Sequence, residues 1–167
     1  MIVAEHFPTV TADTIRRGIA ETVWHGRFEI LSRDPLFIFD GAHNLDGVKS
    51  AVESIRTYLG GKVICLTGVL RDKEYTEMAR EIATVSDTVV TVTPSSPRAL
   101  DSRDYAAALG EYIPNTYPAD SIADGVRMAL DLAKSHSLPL VCLGSLYLYR
   151  DVISLPLWGR WIAKQDG

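Results

Sequence analysis

Residues 36–47, LFIFDGAHNLDG, join a short apolar run to a polar turn and then to a helical pattern. The run Leu36–Asp40 is rich in the bulky residues that favour strands. Beyond the turn, apolar residues recur at helical spacing until a glycine pair ends the pattern: Val48, Val52, Ile55 and Leu59, then Gly60 and Gly61. A strand that leads through a glycine turn into a helix is typical of α/β folds, and the stretch therefore predicts that class.

The segment before this strand predicts a hairpin. A second β-rich run, Phe28–Leu31, is separated from Leu36–Asp40 by Ser32–Pro35, which has turn chemistry. The hairpin should supply one antiparallel strand at an edge of the sheet.

The first residues of the chain differ from the rest. Thr11 can cap a short helix over Ala12–Thr22, and no strand pattern precedes it. We therefore predict that residues 1–24 are the tail of a preceding domain and its linker, and that residues 25–167 form the domain proper.

Downstream of the helix that ends at Gly60, strands and helices alternate. The predicted strands are Val63–Leu66, Thr88–Thr93, Asn115–Tyr117 and Leu138–Leu143. The predicted helices start at Asp72, at Asp101 or Ser102, at Ser121 and at Leu146. This alternation predicts a doubly wound, mostly parallel sheet with one antiparallel edge strand. Ligands of such sheets bind beyond the carboxyl ends of the strands, so loops 40–44, 67–73, 94–100 and 144–145 should share one rim.

The composition limits the classes of partner. The chain has 167 residues, of which 47% are hydrophobic, and 17 basic against 21 acidic residues give a net charge of -4. We expect a monomeric globular domain without a nucleic-acid partner, which would require a basic excess. No apolar run approaches the ~18 residues that span a bilayer. Cys65 and Cys142 lie inside apolar runs, which suits a reducing cytoplasm, although spacing alone leaves a disulfide open.

The turn after residue 39 carries the densest polar chemistry. Asp40 could accept hydrogen bonds from a sugar hydroxyl or an ammonium group, and His43 could donate to a phosphate or carboxylate. The alternative is that Asp40 and Asn44 only shape the turn and cap the helix while His43 is solvated. Both interpretations stay open on local pattern alone.

Three further residues are candidates for contacts with anionic ligands. Arg27, beside a glycine, can present a guanidinium group to phosphate, or can simply pack on Trp24 at the surface. Lys73 is predicted in the first turn of a helix, where the helix dipole disfavours a cation unless an anion binds there, although a solvated lysine is the alternative. Ser145 could contact a ligand or cap a helix.

Several common motifs are absent from the sequence. There is no G-x-x-x-x-G-K-[ST] phosphate loop, no G-x-G-x-x-G turn and no G-x-S-x-G nucleophile elbow. The histidines and cysteines are too scattered for a metal cluster. Residues Trp158–Trp161 are expected to form a docking or capping segment.

Taken together, the loop motifs resemble the folylpolyglutamate synthase/dihydrofolate synthase family. The resemblance rests on five motifs in the family's order: Trp24-x-Gly26-Arg27-x-Glu29, Asp40-Gly41-Ala42-His43-Asn44-x-x-Gly47, Gly68-Val69-Leu70-x-Asp72-Lys73, Ser96-Pro97-Arg98-Ala99-Leu100 and Gly144-Ser145-Leu146-Tyr147. It covers residues 11 to about 150. His25 departs from the pattern, because the family usually has proline there.

The resemblance implies the Rossmann-like C-terminal domain of a muramyl-ligase-like enzyme that uses ATP and Mg²⁺. ATP would phosphorylate a carboxylate of folate or dihydropteroate, and L-glutamate would attack the acyl phosphate. The family's phosphate loop and Mg²⁺ ligands lie in its N-terminal domain, so this chain alone should be inactive. The implied catalytic residues are Arg27, His43 and Lys73.

The same resemblance implies a binding role for each candidate residue. Arg27 would contact the ATP phosphates and Asp40 the ribose region, while His43 would hold ATP or glutamate. Lys73 and Ser145 would face the glutamate.

Two other functions remain possible. Peptidoglycan muramyl ligases share the architecture but usually read Asp-Tyr-Ala-His-Asn-Pro, where this chain has Gly41 and Leu45. The other possibility is a non-catalytic α/β nucleotide-binding module that docks on another subunit.

Overall fold

The computed structural model describes residues 11–22 and 24–156, which form six helices and six strands. In chain order these are α1 (Ala12–Glu21), β1 (Glu29–Arg33), β2 (Leu36–Phe39), α2 (Leu45–Leu59), β3 (Ile64–Thr67), α3 (Tyr75–Ala83), β4 (Thr88–Thr91), α4 (Ser102–Gly110), β5 (Asn115–Pro118), α5 (Ile122–His136), β6 (Leu140–Leu143) and α6 (Tyr147–Ile153). None of these helices is long and apolar enough to cross a membrane.

The six strands form one sheet in the order β1-β2-β6-β3-β4-β5. Strand β1 pairs with β2 in the antiparallel direction, and every other neighbouring pair is parallel. The antiparallel strand lies at the edge, as the hairpin pattern predicted. The predicted fold class, a doubly wound and mostly parallel sheet, is confirmed.

Helices cover both faces of the sheet, because alternate strand residues point to opposite sides. Ile38 packs with residues of α2, α3 and α4, including Ile55, whereas Phe37 and Phe39 pack with residues of α5 and α6. The central strands β3, β4 and β6 are buried along their whole length. Their continuous apolar character follows from this two-sided burial.

The two cysteines lie on opposite faces of this sheet. Cys65 belongs to the apolar cluster beneath α2 to α4, and Cys142 to the cluster beneath α5 and α6. Both are free thiols, so the disulfide that spacing left open does not form. Burial raises the pKa of the Cys65 thiol to about 12 and also raises that of Cys142, which keeps both protonated and inert.

Most predicted helix caps are present. Asp101 and Ser121 accept hydrogen bonds from the backbone at the starts of α4 and α5, and Thr11 does the same for α1. Gly60 ends α2 in the left-handed conformation with φ 77°. Such caps satisfy backbone groups that a helix leaves unpaired at its ends.

The predicted start of α3 at Asp72 is wrong. The helix begins at Tyr75 after Glu74, whose side chain makes no capping hydrogen bond, and Asp72 instead pairs with Arg98 at 3.1 Å. Lys73 therefore precedes the helix, and the argument that placed it in an unfavourable helix dipole does not apply.

The turn of the hairpin is shorter than the predicted Ser32–Pro35. Strand β1 continues through Arg33, so only Asp34 and Pro35 remain for the turn. The segment Trp158–Trp161 lies outside the described residues.

Candidate functional site

Loops 40–44, 67–73, 94–100 and 144–145 lie side by side at one edge of the sheet, as predicted. The Gly144 N–H donates to the Ala42 carbonyl at 2.7 Å, which joins the loops after β2 and β6. The Arg71 N–H donates to the Arg98 carbonyl at 2.9 Å, which joins the loops after β3 and β4. We call this edge the rim.

The residues before β1 reach the same rim. Glu29, at the start of β1, pairs with Phe39, at the end of β2, because the two strands are antiparallel. The Gly41 N–H also donates to the Gly26 carbonyl at 2.7 Å. Arg27 is thereby placed beside the turn that carries Asp40 and His43.

Backbone packing at the centre of the rim is close enough to require glycine. Gly144 has φ 113°, and a Cβ atom there would lie 2.6 Å from Thr67 Oγ1 and 2.7 Å from the Gly68 carbonyl oxygen. A Cβ atom on Gly68 would lie 2.5 Å from the Val92 carbonyl oxygen. The loops after β6, β3 and β4 are therefore packed backbone against backbone.

Asp40 has a clear structural role. One carboxylate oxygen accepts the Phe28 N–H at 2.9 Å, and the other accepts the Ala42 N–H at 2.8 Å. Asn44 caps α2 by accepting the Gly47 N–H at 2.8 Å. The interpretation that these two side chains shape the turn is confirmed, and the ribose contact of Asp40 stays a prediction.

We expect Asp40→Ala to lower the free energy of unfolding by about 2 kcal/mol, because two backbone N–H groups lose a charged acceptor. Urea denaturation of the purified chain measures this loss. Asp131→Ala, at an exposed position of α5, is the control and should change stability little. Equal unfolding midpoints for the two variants would contradict the structural role of Asp40.

His43 is half-buried, and its ring is fixed on one side. Its Nδ1 lies 2.8 Å from the Gly41 carbonyl oxygen, which can only accept, so Nδ1 carries the proton. In the neutral ring Nε2 is then an acceptor, suited to an ammonium or hydroxyl group. Nε2 can donate to a phosphate only when the ring is doubly protonated.

Arg27 is exposed, and its guanidinium group lies 5.9 Å from the centre of the Trp24 ring. The predicted packing on Trp24 is therefore present. Within residues 11–22 and 24–156, however, no carboxylate forms an ion pair with Arg27 or with Lys73. Both cations are free to meet an anionic ligand.

Ser145 is buried, with 1% of its surface exposed, and its Oγ accepts the Tyr147 N–H at 3.3 Å at the start of α6. The N-cap residue of α6 is Leu146, which makes no side-chain capping bond, so Ser145 supports the turn one residue ahead of the cap and is not itself the cap. Next to it, an open cleft lies between loop 94–100 and α6, lined by Ser95, Leu146, Tyr147, Arg150 and Asp151. Across this cleft the Ser95 N–H donates to Asp151 Oδ2 at 3.1 Å.

Two residues that contact the Arg27 turn were not predicted to have a role. Glu29 accepts the Gly26 N–H at 2.6 Å, and the Tyr149 ring packs against Gly26 and Phe39. The sequence offered one signal, since a carboxylate three residues after a glycine can close a turn. Nothing in the local pattern pointed to Tyr149.

The described residues contain no group of three or more histidine, cysteine or acidic side chains that could hold a metal ion. The rim instead offers two cations, Arg27 and Lys73, that form no ion pair within the described part of the chain. This set suits a phosphate- or carboxylate-bearing ligand better than a metal.

Comparison with known proteins agrees with this geometry. The chain is 31% identical to folylpolyglutamate synthase of Lacticaseibacillus casei over 152 residues, covering 90% of this chain and 34% of that enzyme. It is 32% identical to UDP-N-acetylmuramoyl-L-alanyl-D-glutamate--L-lysine ligase of Staphylococcus epidermidis, covering 65% of this chain and 23% of that enzyme.

A solved structure of Mycobacterium tuberculosis folylpolyglutamate synthase, complexed with ADP and AMPPCP, has the same fold with a TM-score of 0.82. It is 25% identical and covers 90% of this chain and 36% of that one. The chain thus spans about a third of the length of the folylpolyglutamate synthases named here. Residues 26–145 match the family model described as Mur ligase, glutamate ligase domain. The chain therefore belongs to the Mur ligase family as a glutamate ligase domain.

Proposed function

We propose that this chain is the C-terminal domain of an ATP-dependent ligase that adds L-glutamate to folate or dihydropteroate. Residues 25–167 would form this domain, and residues 1–24 would link it to a domain with a phosphate loop. We call the polypeptide that contains both domains the complete ligase. The observation that carries the proposal is the rim, where Arg27 and Lys73 lack an ion-pair partner among the described residues.

In the proposed reaction, a carboxylate oxygen of the folate attacks the γ-phosphorus of ATP and ADP leaves. The glutamate nitrogen then attacks the acyl carbon, loses a proton and expels phosphate. Arg27 would contact the phosphate groups, where negative charge is spread over the transferring phosphoryl oxygens. His43, with its Nδ1 held by the Gly41 carbonyl, would present Nε2 to ATP or to glutamate.

The other side chains have more restricted roles. Asp40 would approach the ribose only while it continues to hold the turn, since both of its oxygens already accept N–H groups. Lys73 would attract the glutamate carboxylates. Ser145, being buried, would act mainly by fixing the start of α6 beside the glutamate.

The proposed enzyme uses Mg²⁺ to offset charge on ATP, but the described residues do not fit a metal site on their own. We therefore assign the Mg²⁺ ligands to the phosphate-loop domain and derive no step through the metal here. We also propose a cytoplasmic monomer. The free buried thiols and the burial of both sheet faces under the chain's own helices support this proposal.

A peptidoglycan ligase is the second candidate, and one observation favours it: the S. epidermidis relative is 32% identical to this chain, although that match covers 65% of the chain and the match to the L. casei enzyme covers 90%. The feature that argues against it is Gly41, where muramyl ligases usually carry tyrosine. A Cβ atom on Gly41 would lie 2.3 Å from Leu146 Cδ2 and 3.0 Å from the Gly26 carbonyl oxygen. Leu146 is 44% exposed and its side chain can move, so a larger residue at position 41 requires Leu146 to shift and meets the Gly26 carbonyl oxygen at a tight distance.

We expect the 167-residue chain to form no ADP above background when mixed with ATP, Mg²⁺, L-glutamate and a folate. The reason is the absence of a phosphate loop from its sequence. The L. casei enzyme, assayed in parallel, shows that the conditions support turnover. If the chain forms ADP and Arg27→Ala abolishes this activity, the proposal that catalysis requires the phosphate-loop domain is wrong.

The gene sequence upstream of residue 1 distinguishes a complete ligase from a non-catalytic module. A reading frame that continues upstream of residue 1 into a glycine-rich phosphate loop would support the complete ligase. A stop codon directly upstream would favour a module that docks on another subunit.

A further inference from the structure

The turn that carries Arg27 has an unusual backbone. Gly26 has φ 72° and Phe28 has φ 43°, so two of three successive residues occupy the left-handed region. A non-glycine residue such as Phe28 adopts this conformation only where its surroundings hold it there. The turn therefore needs support from outside its own backbone.

The Glu29 carboxylate supplies part of this support. Its Oε2 accepts the Gly26 N–H at 2.6 Å, and its Oε1 lies 2.9 Å from His25 Nδ1. The Glu29 side chain is 21% exposed, so water competes little for these bonds. His25 makes this contact at the position where the related family usually has proline.

Tyr149 of α6 adds to this support, beside Asp40, which accepts the Phe28 N–H, and Gly41, whose N–H donates to the Gly26 carbonyl. The Tyr149 ring lies 3.4 Å from the position of a Cβ atom on Gly26, and it packs edge-on against Phe39 with ring centres 5.1 Å apart. The turn is thus held between the Glu29 carboxylate on one side and the Tyr149 ring on the other.

The charge state of Glu29 agrees with this role. Burial alone would raise the pKa of Glu29, but hydrogen bonds from the Gly26 backbone and from His25 lower it below its ordinary value. At neutral pH Glu29 is therefore a carboxylate, which can accept the Gly26 N–H.

We propose that Glu29 and Tyr149 are positioning residues that hold Arg27 at the rim for contact with the phosphates of ATP. The inference rests on the proposed function of Arg27. It adds that the phosphate contact depends on α6, a helix that also holds loop 94–100 through the bond from the Ser95 N–H to Asp151.

The test uses the ¹⁵N-labelled 167-residue chain and compares Tyr149→Leu and Glu29→Gln with the parent. Tyr149→Leu removes the ring that packs on Gly26 and Phe39. Tyr149→Phe keeps this ring and is the matched control. Arg27→Ala is included to test the ligand contact itself. Two NMR readouts are taken: backbone order of residues 26–28 without nucleotide, and the shift of the Arg27 Nε–Hε signal on ATP addition.

We expect the order parameters of residues 26–28 to fall below about 0.6 in Tyr149→Leu and Glu29→Gln, and to stay near 0.85 in the parent and in Tyr149→Phe. The apparent Kd for ATP should rise about tenfold in Tyr149→Leu and Glu29→Gln, the effect of losing one charge-assisted hydrogen bond from Arg27. Because Glu29 and Tyr149 both hold the Gly26 turn, the double variant should bind ATP no more weakly than Glu29→Gln alone.

The outcomes separate the inference from the proposed function. If ATP shifts the Arg27 signal equally in the parent and in Tyr149→Leu, and the turn stays ordered, the positioning role is overturned while the ATP contact stands. If millimolar ATP leaves the Arg27 signal of the parent unchanged, the proposed contact fails. The order parameters without nucleotide then still decide whether Glu29 and Tyr149 hold the turn. A lower melting temperature with an ordered turn would contradict the positioning role, and Tyr149→Leu is the deciding variant if Glu29→Gln does not fold.

Discussion

Arg27→Ala is expected to slow ADP formation by the complete ligase about a hundredfold, the usual consequence of removing one donor that stabilises transition-state charge. The guanidinium group is exposed, rests on Trp24 and forms no ion pair with a described carboxylate. Its removal leaves no buried group unpaired, so the melting temperature should change little.

Steady-state kinetics and a thermal melt measure both quantities. Arg27→Lys keeps the charge but not the planar fork and should recover only part of the lost turnover. Arg127→Ala, an exposed position on α5, is the control. His43→Ala should lose activity mainly through higher Michaelis constants for ATP or glutamate. Parental turnover and Michaelis constants in Arg27→Ala and His43→Ala would contradict the assigned roles, and a large drop in melting temperature would favour a structural role.

Gly144→Ala is expected to destabilise the domain by about 4 kcal/mol, from about 2 kcal/mol of backbone strain and a similar cost of overpacking. Gly144 has φ 113°, and the new methyl group would meet Thr67 Oγ1 and the Gly68 carbonyl. Gly68 cannot retreat, because its own backbone lies against the Val92 carbonyl. Urea unfolding of the purified chain measures the change.

The matched control for this substitution is Gly110→Ala. Gly110 is the last residue of α4, it has no positive φ, and a Cβ atom there would meet nothing within 4 Å. Alanine in a helix should stabilise the domain by about 0.5–1 kcal/mol. If both variants unfold at the urea concentration of the parent, the backbone packing described for the rim is incorrect.

The sequence predicted the elements of this fold better than their arrangement. Caps such as Asp101 and Ser121 are local, because the side chain and its backbone partner lie within three residues. The position of β6 between β2 and β3 has no such local signal. Strands β3, β4 and β6 are all buried on both faces, so their apolar runs look alike and do not specify neighbours.

The residues of the candidate site could also be predicted only where the signal is local. Asp40, His43 and Arg27 could be found because each follows or precedes a recognisable strand beside glycine. The ion pair of Asp72 with Arg98 and the packing of the Tyr149 ring on Gly26 join segments far apart in the chain, and no local pattern encodes them. The predicted position of Lys73 in the first turn of a helix was wrong, because α3 starts only at Tyr75 and its N-cap residue Glu74 makes no side-chain capping bond.

The antiparallel edge strand determines where the chain enters the fold. The parallel strands run toward the rim, whereas β1 starts at the rim and runs away from it, so the chain enters the sheet beside the Arg27 turn, where the Arg27 N–H donates to the Trp24 carbonyl. The turn at residues 41–42 contacts the path of the chain at two distant points: the Gly41 N–H donates to Gly26, where the chain enters the sheet, and the Ala42 carbonyl accepts from Gly144, where it leaves the last described strand. A shift of this one turn therefore moves the entrance and the exit of the sheet together.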